Sequence, residues 1–137
     1  MSNFLPISLR HRTLTPSEIN QLSPVALAYV GDSVYELYVR SHYLFPPKRI
    51  HDYHRQVVDI VRAEQQATYL ADYLLPCLTE DELDVVRRGR NASPRPSRKM
   101  SLKIYQQATG FEALLGYLYL TDPERLWALL ELLPIGS

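Results

Sequence analysis

The sequence contains a single cysteine, Cys77, among 137 residues, so an internal disulfide is impossible. One cysteine also excludes a metal site built on several Cys ligands, and it suits a reducing compartment. There is no apolar run of the ~18 residues or more that a membrane span needs, and the N-terminal sequence MSNFLPISLRHR lacks the apolar core of a signal peptide. We therefore expect a cytoplasmic protein that does not cross a membrane.

Glycine is scarce, with five copies, whereas apolar residues make up 46% of the chain. This composition is typical of a folded globular protein, and the length suits one domain with a substantial core. We interpret residues 1–14 as an irregular N-terminal arm and residues 15–137 as the single domain.

Alternating patterns long enough to indicate a strand are absent, and apolar residues recur at helical spacing instead. Capping residues and prolines divide the chain into predicted helices at about 16–22, 24–43, 50–75, 80–88, 101–120 and 123–133. Leu83 and Val86 are expected to face inward from the fourth helix. Gly89 is expected to end this helix in a left-handed conformation, with a loop over residues 90–99. The helix at 24–43 is apolar on most sides and is expected to be central and buried. The predicted fold is an all-α helical bundle.

An aspartate, Asp32, stands near the middle of this apolar helix. A carboxylate in such surroundings is costly unless a metal ion, a base or hydrogen bonds compensate it. Glu112 lies in a second apolar segment, TGFEALLGYLYL. Two buried acids on separate helices indicate a shared Mg²⁺ site in the core. The alternative is an acid at the helix surface or paired with an arginine; for Glu36, pairing with Arg40 is the favoured interpretation.

The charges are unevenly distributed although the net charge is zero. Residues 87–103 contain seven cations and no acid, which leaves eight basic and fifteen acidic residues elsewhere. Such a basic segment can bind the phosphates of a polyanion, or it can be a solvated surface loop. The candidate RNA-binding residues are Arg87, Arg88, Arg90, Asn91, Arg95, Arg98 and Lys99.

Three motifs together carry a resemblance to a known family. LAYVGDSVYELYVR resembles the signature helix of ribonuclease III, and ATGFEALLGYLYL resembles its second acidic motif. RRGRNA and the short chain, without a double-stranded-RNA-binding domain after Leu133, resemble the catalytic-domain-only members, the Mini-ribonuclease III group. The resemblance spans about residues 18–131.

This resemblance implies a dimeric, all-α endoribonuclease that cleaves double-stranded RNA with Mg²⁺. It places the catalytic and metal-binding acids at Asp32 and Glu112. It also implies a role in the maturation of the precursor of large-subunit (23S) ribosomal RNA. Larger members have two further acids, where this sequence has Ala28 and Thr109. The dimer contact is expected on apolar side chains, with Tyr29, Val30, Tyr35 and Phe111 as candidates.

Two other functions remain open from the residues alone. The chain could be a double-stranded-RNA-binding module that kept the fold without catalysis, or a helical adaptor that binds proteins. Loss of cleavage with retained binding in Asp32→Asn and Glu112→Gln would separate the enzyme from the module. Salt-sensitive binding of duplex RNA would exclude the adaptor.

Overall fold

The computed structural model describes residues 13–93 and 101–136. Within these ranges the chain forms α-helices and no strand, which confirms the all-α prediction. The helices are α1 Pro16–Asn20, α2 Pro24–His42, α3 Ile50–Val61, α4 Ala63–Tyr69, α5 Glu80–Asn91, α6 Leu102–Thr121 and α7 Pro123–Leu130. A π-helical turn, Leu70–Leu74, and a 3₁₀ turn, Leu75–Cys77, continue α4. Nearly all of the predicted arm at 1–14 lies outside the described residues, as does the segment 94–100.

The predicted helix starts are confirmed by their caps. The side chains of Thr15, Ser23 and Thr79 each accept a hydrogen bond from a backbone N–H in the first turn of the helix that follows. The backbone N–H of Thr15 in turn donates to the carboxylate of Glu18, and that of Thr79 donates to Glu82, so both helices begin with a complete capping box. These local bonds fix where α1, α2 and α5 begin.

The prediction of one helix over residues 50–75 is wrong. Helix α3 ends at Val61, and Arg62 has extended backbone with ψ of 154° before α4 begins. Neither proline nor glycine marks this break. The break is stabilised by the side chain of Gln66, which donates to the carbonyl of Val61 at 2.8 Å.

Two expectations for the fourth predicted helix are also wrong. Gly89 does not end α5, which continues to Asn91; it is buried, and a Cβ on it would lie 2.8 Å from the Cβ of Ala113. Close helix packing, and not a left-handed turn, therefore requires glycine at position 89. Leu83, expected to face inward with Val86, is 38% exposed, and Val85 is buried in its place.

The central helix is α6, whereas the sequence indicates α2. Nine of the residues of α6 are buried, and α2, α4 and α5 all pack against it. Helix α2 buries one side but leaves Val25, Tyr29 and Leu37 exposed, at 40%, 79% and 47%. Tyr35 and Phe111 are fully buried and stack edge to face, with ring centroids 4.9 Å apart, in the main core.

An ion pair between a half-buried arginine and a buried glutamate joins α7 to α5. Arg125 donates to both carboxylate oxygens of Glu82, at 2.9 and 3.0 Å, and to the carbonyl of Cys77 at 2.8 Å. Burial raises the pKa of Glu82, but the hydrogen bonds from Arg125 and from the Thr79 cap lower it by more, so the net shift is downward.

No helix in the described part of the chain has the length and apolar character of a membrane span.

Candidate active site

Two glycines bring the backbones of α2 and α6 into contact. A Cβ on Gly31 would lie 1.8 Å from the carbonyl oxygen of Glu112, and a Cβ on Gly116 would lie 1.9 Å from that of Leu27. No side chain fits either space, so the two helices can approach this closely only because both positions are glycine. The residue after Gly31 is Asp32, and the two helices therefore approach closely beside the two acids.

The carboxyl groups of Asp32 and Glu112 lie near enough to interact, because Gly31, next to Asp32, meets the backbone of Glu112 across the contact between α2 and α6. Burial raises the pKa of Glu112 to about 8, and the hydrogen bond and negative charge of Asp32 add to this rise. A hydrogen bond from Gln66 opposes it, and the charge of Glu36 contributes in the upward direction. Glu112 is half-buried, but Asp32 is exposed, so the expectation that both acids are buried is wrong for Asp32.

This pair fits a hard divalent cation. Two adjacent carboxyl groups repel when both are ionised, and a cation between them removes that repulsion. Carboxylate oxygens are also the ligands that Mg²⁺ prefers, with water and substrate phosphate completing its shell. No group of three or more His, Cys, Asp or Glu side chains that could hold a metal occurs in residues 13–93 and 101–136. The protein would therefore supply two carboxylates here.

The positions of the two missing acids are occupied by residues that serve the fold. Ala28 is buried between α2 and its neighbours. The hydroxyl of Thr109 donates to the carbonyl of Tyr105 at 3.0 Å and lies 3.0 Å from the hydroxyl of Ser93. Thr109 thus joins the end of α5 to α6, and neither residue supplies a carboxylate.

Glu36 lies one turn beyond Asp32 and pairs with Arg40 at 3.0 Å, which confirms the salt-bridge interpretation.

Sequence reasoning missed Gln66, which is 3% exposed and reaches Glu112 from α4. A glutamine in a predicted helix gives no sign of such a contact. The direction of the Gln66 side chain depends on the break at Arg62, which the sequence does not reveal.

The basic residues predicted to bind RNA divide into three groups. Arg90 and Asn91 are exposed on the last turn of α5, so they lie on a helix and not in the expected loop. Arg87 pairs with Asp84 on the same helix, and Arg88 lines a groove with Asp81 and Asp84. Arg95, Arg98 and Lys99 lie outside the described residues.

The all-α fold and the two paired acids define a class of protein. The Ribonuclease III domain matches residues 25–123, and the chain belongs to the ribonuclease III family. It is an endoribonuclease of the ribonuclease III type, a class that acts on double-stranded RNA.

Within this class the chain is similar to proteins named Mini-ribonuclease 3. It is 56% identical over 124 residues to the one from Synechococcus sp., covering 90% of this chain and 89% of that protein. It is 54% identical over 138 residues to the one from Synechocystis sp., covering 98% and 96%. The crystal structure of protein FN1578 from Fusobacterium nucleatum superimposes with a TM-score of 0.76 at 27% identity, covering 82% of this chain and 93% of that one.

Proposed function

We propose that this chain hydrolyses phosphodiester bonds of double-stranded RNA in a Mg²⁺-dependent reaction, with Asp32 and Glu112 as the catalytic and metal-binding residues. The observation that carries the proposal is the close backbone contact of α2 and α6 at Gly31 and Glu112, which places the neighbouring Asp32 near enough to Glu112 for the two acids to interact. Their repulsion is a cost that a cation-dependent reaction would explain.

The two acids have different surroundings and would contribute differently. Asp32 is exposed and can meet a phosphate that approaches from solvent, whereas Glu112 is half-buried and held from behind by Gln66. When bound, Mg²⁺ would supply Lewis-acid stabilisation of the charge on the leaving oxygen and a more acidic water. Hydrolysis would break the bond to the 3′ oxygen, leaving a 3′-hydroxyl and a 5′-phosphate.

RNA would be held by shape and phosphate contacts, because the bases of an A-form duplex are hard to reach. Arg90 and Asn91 are exposed at the end of α5 and are available for this. Arg87 and Arg88, with Arg95, Arg98 and Lys99, complete the proposed RNA-binding set. We further propose the precursor of 23S ribosomal RNA as the substrate, by analogy with the Mini-ribonuclease III group, and the cytoplasm as the location, which the single cysteine suits.

A homodimer is also part of the proposal. Helix α2 presents an exposed apolar groove of about 540 Å³, which α6 and α7 complete. The residues that line the groove are Tyr29, Val30, Ser33, Val34, Leu37, Tyr38, Ser41, Tyr119 and Trp127. No charged side chain lines it, and apolar surfaces of this kind favour a partner. A second copy would suit it, because α2 also carries Asp32 and two copies would then present one site to each RNA strand. Tyr35 and Phe111 cannot take part, since both are fully buried.

Light scattering after gel filtration tests the dimer. Leu37→Glu places a charge in the groove and should give a monomer. Ile50→Glu, at an apolar side chain that is 78% exposed on α3, is the matched control and should remain dimeric. Equal masses for the two variants would contradict this part of the proposal.

The activity test uses purified protein and an end-labelled RNA duplex, with and without Mg²⁺. We expect cleavage only with Mg²⁺, with the predicted ends, and only of the duplex and not of its separated strands. Asp32→Asn and Glu112→Gln should abolish cleavage and keep duplex binding, and Glu36→Gln, an acid on the same helix, should cleave normally. Cleavage by both site variants would refute the assignment. A duplex copied from the rRNA precursor ends, against a shuffled duplex, tests the substrate.

A further inference from the structure

The side chain of Gln66 connects the α3–α4 break to the acid pair. It is 3% exposed, and its Nε2 donates to the carbonyl of Val61 at 2.8 Å. The same nitrogen lies 3.5 Å from Oε2 of Glu112, a residue 46 positions later in the chain. This second contact is long, and contacts in active sites of this kind shorten when the ligand binds.

The other atom of this amide is not satisfied. Oε1 of Gln66 is buried and has no hydrogen-bond partner among the described residues. A buried polar atom without a partner costs about 1–3 kcal/mol, so an apolar side chain of the same size would suit the core better. The bond to Val61 offsets part of this cost, so stability gives a glutamine here little advantage over an apolar side chain.

The neighbouring glutamine shows what a structural role looks like here. Gln65 is half-buried and donates to the hydroxyl of Tyr69 at 3.0 Å, within its own helix. Gln66 instead reaches across to α6 and touches one of the two acids. The Val61 bond fixes its amide, and the fixed amide restricts the rotamers open to the Glu112 carboxyl.

We propose that Gln66 is a positioning residue, whose amide holds the Glu112 carboxyl in the orientation that faces Asp32. It thereby prepares the pair to hold a divalent cation. This inference rests on the proposed function, because it concerns the same two acids. Groups that orient metal ligands typically change metal affinity by 10- to 100-fold when they are removed.

The test compares Gln66→Met with Gln65→Met, which remove the same amide from adjacent positions. Calorimetric titration with Mn²⁺ in the absence of RNA gives a readout that does not depend on activity. We expect an affinity about 10-fold weaker for Gln66→Met and unchanged for Gln65→Met. The melting temperature of Gln66→Met in EDTA should change little, because loss of the bond to Val61 is offset by removal of the unsatisfied Oε1.

Gln66→Asn is the second variant, and it keeps an amide that is too short to reach both Val61 and Glu112. It should also weaken Mn²⁺ binding, and this result decides the question if Gln66→Met does not fold. Wild-type affinity in Gln66→Asn, or equal affinities in the two Met variants, would overturn the inference while leaving the enzyme assignment intact. An unmodified chain that neither binds Mn²⁺ nor cleaves duplex RNA would instead overturn both.

Discussion

The contact between α2 and α6 makes Gly31→Ala the most direct perturbation of the proposed site. The added Cβ would lie 1.8 Å from the carbonyl oxygen of Glu112, whereas ordinary contact begins at 3.4 Å. The difference, about 1.6 Å, is the distance by which the helices would have to separate locally. Because the obstacle is backbone and not a flexible side chain, a rotamer change cannot relieve it.

Two effects of this change oppose each other. Alanine is about 1 kcal/mol better than glycine in a helix. Forcing a methyl group into a packed contact typically costs 1–3 kcal/mol, and a backbone obstacle puts this site at or beyond the upper end. We expect a net loss of about 2 kcal/mol, which lowers the melting temperature by roughly 5–10 °C for a chain of this size. A misplacement of about 1 Å between reacting groups can cost about 100-fold in rate, so cleavage should fall by at least that factor.

Gly89→Ala is the matched control, since it is the same substitution at a helix contact that meets Ala113 and Gly110 and not the carbonyl of Glu112. Its Cβ would meet the Cβ of Ala113 at 2.8 Å, a milder overlap on the α5 side of α6. Thermal unfolding and single-turnover cleavage of duplex RNA are measured for both variants. Gly89→Ala should lose less stability and keep its cleavage rate within a few-fold. The reasoning would be refuted if Gly31→Ala matched the unmodified chain in both assays, or lost no more activity than Gly89→Ala.

Three further predictions concern other contacts. Arg125→Met leaves the buried Glu82 carboxylate unpaired and should cost about 3 kcal/mol in urea unfolding at pH 7. Because the folded-state pKa of Glu82 is lowered, the pair's contribution is present above its unfolded pKa and is lost as pH falls through the folded pKa. The difference between variant and unmodified chain should therefore shrink in acid; a difference that does not change with pH would contradict it. Glu112→Gln removes a carboxyl from the repelling pair, so its melting temperature in EDTA should not fall, and a clear drop would indicate a structural role. Arg90→Gln should weaken duplex binding and reduce by about one the slope of log affinity against log salt concentration. Arg87→Gln should change this slope less, because its guanidinium is already paired with Asp84. Equal slopes for the two variants would remove Arg90 from the RNA-binding surface.

Much of the fold could be predicted because it depends on local contacts. Thr15, Ser23 and Thr79 bond to backbone within their own first turn, so their positions in the sequence locate the helix starts. The family could be recognised for a related reason, since its motifs are contiguous stretches on α2 and α6. The two candidate acids were found within those stretches, although their roles remain predictions.

The features that sequence reasoning missed depend on residues far apart in the chain. Arg62 interrupts a well-formed helical pattern, and the bonds that stabilise the break come from Gln66. Gly89 has the sequence position of a helix stop, but Ala113 of another helix determines its role. The sequence overestimates the burial of α2, because a helix that is apolar on most sides can also line an exposed groove, as Tyr29 and Leu37 do.

By itself the sequence determined that the chain is helical, where most helices begin, which family it belongs to and which two acids deserve testing. Each of these follows from residues within a few turns of one another. The tertiary structure alone decided that α6 is central, that Asp32 is exposed, and that Gln66 reaches Glu112. The physical reason is that helix contacts depend on which backbones can approach, and that distance is set jointly by Gly31 and Gly116, which are 85 positions apart in the sequence.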